Sequence, residues 1–379
     1  MSVWTDVVGQ DEAVAVLHRA ATDPTAMTHA WLITGPPGSG RSVAARAFAA
    51  ELLGGVGEDA ESVDVRRRVM KGAHPDVSLV ATDKTVITVE EVRDLVTLAQ
   101  RSPGEGRWRI IVIEDADRIA ERSSNALLKA LEEPPPRTVW VLCAPSEQDV
   151  VTTIRSRCRQ VTLRVPPADA VAELLVRRHG IEPEQALIAA RAAQSHIGLA
   201  TRLALDVETR ERRERVLDIA SRVRGVGDAV LAAGALVEVA TQQATASATQ
   251  RDATEKAELL RNLGADGEGT LPPSIRSQIK QLEDDQKRRA KRAVVDGLDR
   301  AMTDLLSLYR DVLVVQVNSD VDLVNQAQVA TVRAVAAAST VEQTVRRRDA
   351  ITTARTRIGA NVAPLLAVEA MTVALRPQG

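Results

Sequence analysis

The stretch TGPPGSGRS, Thr34–Ser42, decides the fold class, because it stands between a run typical of a strand and a run typical of a helix. The apolar run HAWLIT (His29–Thr34) leads into it, and SVAARAFAAELL follows it. In a phosphate-binding loop, or P-loop, glycines let backbone N–H groups turn toward phosphates at the N-terminus of the next helix. The spacing therefore predicts a P-loop. A chance glycine- and proline-rich turn is the alternative, but such a turn would rarely have this context.

Strand and helix patterns alternate from the start of the chain to residue 165. Two more apolar runs of strand length, RIIVIE (Arg109–Glu114) and TVWVLCA (Thr138–Ala144), flank the helical pattern SSNALLKALEE. Strands that alternate with helices predict a parallel sheet with helices on both faces. We therefore predict an α/β P-loop core over residues 1–165.

Strand signals mostly vanish after VPPADA (Val165–Ala170), and Ala, Leu and Arg then recur at helical spacing. We predict a small helical lid over residues 166–225 and an all-α C-terminal domain over residues 226–379. The polar, glycine-containing stretch 241–273 is predicted to be an exposed excursion from that domain. Apolar residues at helical spacing within Val294–Leu313 predict an amphipathic helix after it.

The charge balance and the cysteine count exclude several classes of protein. The chain has 379 residues, with 49 Lys and Arg against 51 Asp and Glu, for a net charge of −2. This balance argues against binding nucleic acid by bulk electrostatics, although it leaves room for a local basic face. Cys143 and Cys158 can build neither a disulfide framework nor a tetrahedral metal site. Without a signal pattern or a membrane-length apolar run, we expect a cytoplasmic protein with no membrane contact.

The P-loop departs from the usual pattern at Arg41, which stands where a lysine reaches the β- and γ-phosphates. Arginine is bulkier, planar and forked, so it does not replace a compact ammonium in a tight cradle. Ser42 keeps the magnesium-binding position. The candidate nucleotide-binding residues of the loop are Gly35, Pro36, Pro37, Gly38, Ser39, Gly40, Arg41 and Ser42.

Two further parts of the expected ATPase are altered. IIVIEDAD puts Glu114 where such an enzyme has an aspartate for magnesium, and Asp115 where it has a glutamate that orients water. Each carboxylate is displaced by about one methylene, and small displacements are costly to catalysis. An acidic turn without a role is the alternative. Ala144 and Pro145 stand at the tip of VWVLCAPS, where an active ATPase carries a polar sensor. We predict a P-loop scaffold that hydrolyses ATP poorly or not at all.

Six motifs, in this order, resemble those of the AAA+ clamp-loader family. They are VVGQ (Val7–Gln10), THAWLITGPPGSGRS, GAHPDV (Gly72–Val77), RIIVIEDADRI, NALLKALEEPP (Asn125–Pro135) and IRSRC (Ile154–Cys158). They cover most of the predicted core, whereas the rest of the chain matches only in being helical. The resemblance implies an AAA+ core, a helical lid and a C-terminal helical collar that serves oligomerisation.

The resemblance also implies a part in DNA replication, as a subunit that helps place the sliding clamp on primed DNA. Its partners would be the other loader subunits, delta and gamma/tau, in a pentameric arc that contacts the clamp and primed DNA. Arg157 of SRC would be an arginine finger that acts in trans on a neighbour's ATP. A plain surface arginine is the alternative reading of this residue, and Arg155 and Arg159 are its competitors.

The altered P-loop fits a stator of the polymerase holoenzyme whose own ATPase is weak or absent. A catalytic AAA+ ATPase, either a gamma-type motor or another remodeller, is the alternative. ATP is expected to bind weakly or as a structural ligand, if at all, and Mg²⁺ is expected only with it. Arg202 of SHIGLATRLAL falls one position later than a phosphate-sensing arginine would, so a sensing role and a plain surface role both stay open.

The segment before HPD departs from the family. Many members carry four zinc-binding cysteines there, and this chain has none, so no zinc is expected. We expect His74 to serve a turn or packing rather than a metal. Asp64 and Arg68 could form an ion pair one helical turn apart in this segment.

Overall fold

The computed structural model describes residues 2–82, 86–263 and 272–377. The chain divides into two compact units, Met1–Leu205 and Asp206–Gly379. The first unit contains the sheet, the P-loop and the lid helices. All of the regular elements described in the second unit are helices.

A five-stranded parallel sheet forms the centre of the first unit, as predicted. The strands are β1 (Ala30–Thr34), β2 (Val77–Val80), β3 (Arg109–Ile113), β4 (Thr138–Ala144) and β5 (Arg159–Thr162). Their order across the sheet is β2-β3-β4-β1-β5. The three predicted strands are the three central ones, and all of their residues are buried. The two edge strands, which have four residues each, were not predicted from the sequence.

The register of the central strands gathers the predicted site at one edge of the sheet. Thr34, the last residue of β1, lies beside Ala144, the last residue of β4. Ile113, the last residue of β3, lies beside Leu142 of β4. Because the strands are parallel, the P-loop, the acidic pair and the tip of β4 all leave the sheet at its carboxyl edge, where ligands bind in open α/β sheets.

Helices cover both faces of the sheet, as predicted. They are α1 (Asp11–Thr22), α2 (Arg41–Gly54), α3 (Ala60–Met70), α4 (Val89–Ala99), α5 (Glu121–Glu132) and the single turn α6 (Thr152–Arg155). Successive residues of β1 pack on opposite faces of the sheet. Trp31 lies in one apolar cluster with Phe48 of α2, and Leu32 lies in another with Leu127 of α5. The alanines of α2 are fully buried, so this helix lies close against the strands.

Three lid helices complete the first unit: α7 (Ala168–His179), α8 (Pro183–Ala192) and α9 (Ile197–Leu205). They share an apolar cluster of their own, which includes Val171, Leu175 and Leu203. The small lid is therefore held together by its own core rather than by the sheet.

The second unit is a bundle of long helices. They are α10 (Val207–Arg222), α11 (Val226–Asn262), α12 (Pro273–Gln316), α13 (Val329–Ala337), α14 (Val341–Gly359) and α15 (Pro364–Leu375). The predicted apolar stripe lies on α12, where Leu298, Met302, Leu305, Tyr309 and Val312 are at most 1% exposed. This stripe forms the centre of the bundle's apolar core.

Two predicted boundaries differ from the structure. The helix α10 was assigned to the lid, but its Val216 and Leu217 pack in the apolar core of the second unit, which begins at Asp206. The excursion predicted from Thr241 onward is helical as far as Asn262, because residues 241–262 contain neither Gly nor Pro. Residues 264–271 of that predicted excursion lie outside the described residues.

Polar contacts between α11 and α12 replace apolar packing where the second unit's core ends. Arg289 of α12 pairs with Glu255 and Asp252 of α11, and Lys256 pairs with Glu283 at 2.8 Å. These ion pairs explain how the polar end of α11 stays helical. Among the residues that the structure describes, no helix is both long enough and apolar enough to cross a bilayer.

Candidate functional site

The P-loop joins β1 to α2 in the predicted place. Gly38 and Gly40 have φ angles of 82° and 92°, a left-handed backbone that glycine adopts without a steric penalty. The N–H of Ser39 bonds to the carbonyl of Pro36 at 3.1 Å and closes the turn. Gly40 caps α2 without a side-chain hydrogen bond. The first N–H groups of α2 therefore lack a capping side chain, as an anion site at a helix N-terminus requires.

Arg41 turns back onto the loop instead of extending beyond it. A terminal nitrogen of its guanidinium donates to the carbonyl oxygen of Gly35. The positive charge that a P-loop lysine would present to phosphate oxygens is thus used to close the loop on itself. The sequence predicted a poor substitute for lysine, and this bond supplies the physical reason.

Ser42 and Glu114, the two candidate magnesium ligands, lie together and bond to each other. The Ser42 hydroxyl donates to one carboxylate oxygen of Glu114 at 2.9 Å, and the guanidinium of Arg46 donates to the other oxygen at 2.8 Å. An ion bound by both ligands would have to replace the hydrogen bond between them, beside a carboxylate that Arg46 already neutralises. Arg46 was not predicted as a site residue. Its signal in the sequence is the spacing of four residues from Ser42, which places both on one face of α2.

Asp115 follows β3 at the carboxyl edge of the sheet and also has partners within the chain. It accepts a hydrogen bond from the N–H of Thr82 at 3.0 Å and lies 3.4 Å from the guanidinium of Arg118. Asp117, two residues further on, was not predicted as a site residue. Burial raises the pKa of its carboxyl. Both predicted acidic residues are therefore engaged by groups of the chain itself, and together with Arg41 this arrangement fits Mg·ATP poorly.

The tip of β4 contacts the loop through its main chain. The N–H of Gly35 lies 3.3 Å from the carbonyl oxygen of Ala144 and 3.2 Å from that of Pro145. Neither side chain carries a polar atom that could report on a phosphate. The position predicted to lack a sensor thus serves to fix the start of the P-loop.

A lid residue that the sequence analysis missed covers the loop. A Cβ added at Gly38 would lie 2.3 Å from the ring of His196, so the imidazole packs directly on this glycine. The N–H of Ile197, the first residue of α9, lies 3.3 Å from the Gly38 carbonyl. Arg202 lies in the last turn of α9, is exposed, and makes no hydrogen bond to the loop within the described part of the chain. His196 and Ile197, rather than Arg202, therefore place lid side chains against the P-loop.

Gln10 of VVGQ ties the loop to the start of the lid. Its buried amide accepts from the N–H of Arg164 at 2.9 Å and donates to the carbonyl of the same residue at 2.7 Å. Gly9 packs against Pro166 and Pro167 so closely that a Cβ there would lie 2.7 Å from the second proline. The motif thus forms a junction between the sheet, the P-loop and the lid.

Arg157 lies at the surface just after α6. Its Nε donates to Glu132 at 2.7 Å and its Nη1 donates to the carbonyl of Thr153 at 2.8 Å. Its side chain is 34% exposed, so it stays accessible to another molecule. Ser156 supports the turn by donating to the carbonyl of Thr153 and accepting from Arg157.

The competing arginines are committed elsewhere. Arg155 donates to the carbonyl of Glu147 at 3.3 Å. Arg159 donates to the carbonyl of Ala26 at 2.7 Å and its guanidinium lies 5.1 Å from the ring centre of Trp31. Both arginines thus contact backbone carbonyls, and Arg159 also contacts the ring of Trp31. Arg157 instead pairs with a carboxylate, which another anion could replace.

The HPD turn is structural, as expected for His74. The Nδ1 atom of buried His74 accepts from the N–H of Asp76 at 3.1 Å, and burial lowers the pKa of the imidazole. The predicted pair of Asp64 and Arg68 is wrong. Asp64 pairs with Arg67, and Arg68 instead reaches Glu105 at 2.9 Å.

Neither cysteine is a reactive thiol. Burial raises the pKa of both Cys143 and Cys158 to about 12. At pH 8 only on the order of one thiol in 10⁴ is then ionised, and the thiolate is the nucleophile. We expect iodoacetamide to label the native protein at pH 8 far more slowly than the guanidinium-unfolded protein, as measured by intact mass. Rapid labelling of either cysteine in the native protein would contradict this.

Comparisons with known proteins agree with the motifs. Residues 9–167 match the family described as DNA polymerase III, delta subunit. DNA polymerase III subunit delta' of Pseudomonas aeruginosa is 34% identical over 168 residues, which are 42% of this chain and 50% of the relative. Subunit delta' of Bacillus subtilis is 27% identical over 57% of this chain and 66% of its own length. Subunit gamma/tau of Mycobacterium tuberculosis is 30% identical over 46% of this chain and 31% of its own length.

The similarity is concentrated in the P-loop core. The chain thus spans half of the Pseudomonas relative and about a third of the Mycobacterium one. A solved gamma-subunit-related protein of Thermotoga maritima aligns over 96% of this chain and 98% of its own, with 17% identity and a TM-score of 0.41. Residues 9–167, which contain the P-loop, the acidic pair and the SRC arginine, are thus similar to clamp-loader subunits of DNA polymerase III.

Proposed function

We propose that this chain is a stator-type subunit of the replicative clamp loader, of the delta-prime class. It helps the ATP-dependent loading of the sliding clamp onto primed DNA without hydrolysing ATP efficiently itself. Its partners are the delta and gamma/tau subunits, which it meets in a pentameric arc through its helical collar. The clamp and primed DNA are contacted through that assembly, and polymerase activity belongs to the holoenzyme rather than to this chain.

The observation that carries the proposal is the state of the P-loop. Arg41 bonds to the loop's own Gly35 carbonyl, and Glu114 is neutralised by Arg46 at 2.8 Å. Hydrolysis needs a cation at the β- and γ-phosphates and a carboxylate free to bind magnesium. Both groups are engaged internally, so ATP is proposed to bind weakly or as a structural ligand.

Arg157 supplies the second half of the proposal, as a finger for the ATP of a neighbouring subunit. A guanidinium is always charged and can donate two parallel hydrogen bonds to phosphate oxygens. Its exposure on the core, beside a turn fixed by Ser156 and Thr153, suits contact with another subunit.

Arg41→Ala separates the stator from the catalytic alternative. In a reconstituted loader this variant is expected to keep ATP hydrolysis stimulated by clamp and primed DNA within about twofold of wild type. The reason is that a P-loop already unsuited to magnesium loses little when its cation is removed. Steady-state phosphate release is the measurement, with assembly checked by size-exclusion chromatography.

A matched substitution in the P-loop lysine of gamma/tau is the positive control, and it should abolish turnover at the sites it alters. If Arg41→Ala also removed a large part of the rate with assembly intact, this chain would be a catalytic AAA+ ATPase.

A further inference from the structure

Glu132 is the one acidic partner that the described residues offer to Arg157 within salt-bridge distance. It is the last residue of α5 and belongs to NALLKALEEPP, whereas Arg157 follows α6. Nε of Arg157 lies 2.7 Å from Oε1 of Glu132, and one terminal nitrogen pairs with the same oxygen. Two motifs are thus joined through charged side chains that lie 25 positions apart in the sequence.

The contact occupies the edge of the guanidinium that an anion would use. Bidentate binding of a phosphate or carboxylate takes two parallel N–H groups of arginine. In this chain Glu132 takes Nε and one terminal nitrogen, and the Thr153 carbonyl takes the other terminal nitrogen at 2.8 Å. Each nitrogen of the finger therefore has a partner in its own core.

The pair is exposed enough to exchange. The side chains of Arg157 and Glu132 are 34% and 48% exposed, so a second molecule can reach both. A carboxylate left beside the guanidinium would also repel the negative charge of a phosphate. We infer that Glu132 is a positioning residue that holds Arg157 on its own core until a neighbour's nucleotide phosphate replaces the carboxylate.

This inference rests on the proposed finger and adds its regulation. Exposed ion pairs are weak, so the carboxylate is expected to restrain the finger only a few-fold. The restraint matters most when the neighbour's phosphate is not yet pressed against Arg157, that is, before the clamp and primed DNA stimulate the loader. Once the finger is engaged, Glu132 no longer competes.

Glu132→Gln tests the inference because it removes the charge and keeps the size and a hydrogen-bonding oxygen. In the reconstituted loader we expect ATP hydrolysis without clamp and DNA to rise by about two- to fivefold, the range that a surface ion pair can supply. The stimulated rate should stay unchanged, so that the ratio of stimulated to basal rate falls. Glu133→Gln, which alters the adjacent exposed carboxylate at the C-cap of α5, is the matched control and should change neither rate.

The double variant Glu132→Gln with Arg157→Ala distinguishes the two proposals. With the finger absent, Glu132→Gln should have no effect beyond that of Arg157→Ala. If Arg157→Ala alone leaves the stimulated rate unchanged, the finger itself is refuted. If Arg157→Ala lowers that rate but Glu132→Gln behaves as wild type, or lowers basal and stimulated rates equally, the holding role of Glu132 is refuted and the finger survives.

Discussion

Arg157→Ala is expected to lower ATP hydrolysis at the neighbouring subunit's site by about 10³–10⁵-fold, the range measured for loss of an arginine finger. The loss arises because the guanidinium stabilises negative charge on the transferring phosphoryl group. One interface of several is affected, so the total steady-state rate falls by that site's share. Counting the ATP hydrolysed per loading event in a single-turnover experiment measures the affected site directly.

Two further variants make this result specific. Arg157→Lys keeps the charge but loses the fork that binds two oxygens, so its rate should lie between those of Arg157→Ala and wild type. Arg122→Ala removes an exposed arginine from α5 of the same core and should leave the rate unchanged. An unchanged rate for Arg157→Ala in a fully assembled loader would mean that this chain supplies no finger.

The parts of the fold that could be predicted are those with a local cause. The central strands are continuous apolar runs, and the P-loop needs glycine at Gly38 and Gly40, where φ is positive. The edge strand β5, with the sequence RQVT, buries one residue of four, so it lacks the apolar run that identifies a central strand. The helical part of α11 beyond Thr241 was missed because its apolar periodicity ends there and contacts with α12 take over.

The sequence alone names candidate site residues, but it does not predict which residues they contact. The residue types at Arg41 and Glu114 predict that ATP is hydrolysed poorly or not at all, and this stays a prediction. The partners of the candidate site residues come from distant segments: Arg46 and Glu114 are 68 positions apart, and His196 reaches Gly38 from the lid. Spacing along a single sequence contains no direct signal for such pairs.

The role of the HPD motif is to stabilise the fold rather than to take part in chemistry. Asp76 is fully buried at the start of β2, and its carboxylate accepts from the N–H groups of Gly104, Glu105 and Gly106 at 2.7–2.9 Å. The guanidinium of Arg109 lies 3.2 Å from it. The carboxylate thus organises the loop that leads into β3.

Asp76→Ala is expected to destabilise the first unit by about 3–5 kcal/mol, because it leaves the buried guanidinium of Arg109 and three N–H groups without their partner. For a unit of this size the midpoint of thermal unfolding should fall by about 10 °C. Circular dichroism of the full chain measures the shift. Asp64→Ala, which removes an exposed carboxylate paired with Arg67, is the control and should shift the midpoint by at most about 1–2 °C. An equally small shift for Asp76→Ala would contradict the role of the buried cluster.

The same carboxylate predicts how acid acts on the fold. Burial alone would raise the pKa of Asp76, but the N–H groups of Gly104, Gly106 and Glu105, together with Arg109, more than offset burial, and the pKa lies below its ordinary value of 3.8. A depressed pKa in the folded state means that the stabilisation is complete above the unfolded value and is lost as pH falls through the folded one. The difference in unfolding free energy between wild type and Asp76→Ala should therefore be constant near neutral pH and shrink below about pH 4. A difference that stayed constant through that range would mean that Asp76 stabilises the loop by packing rather than by charge.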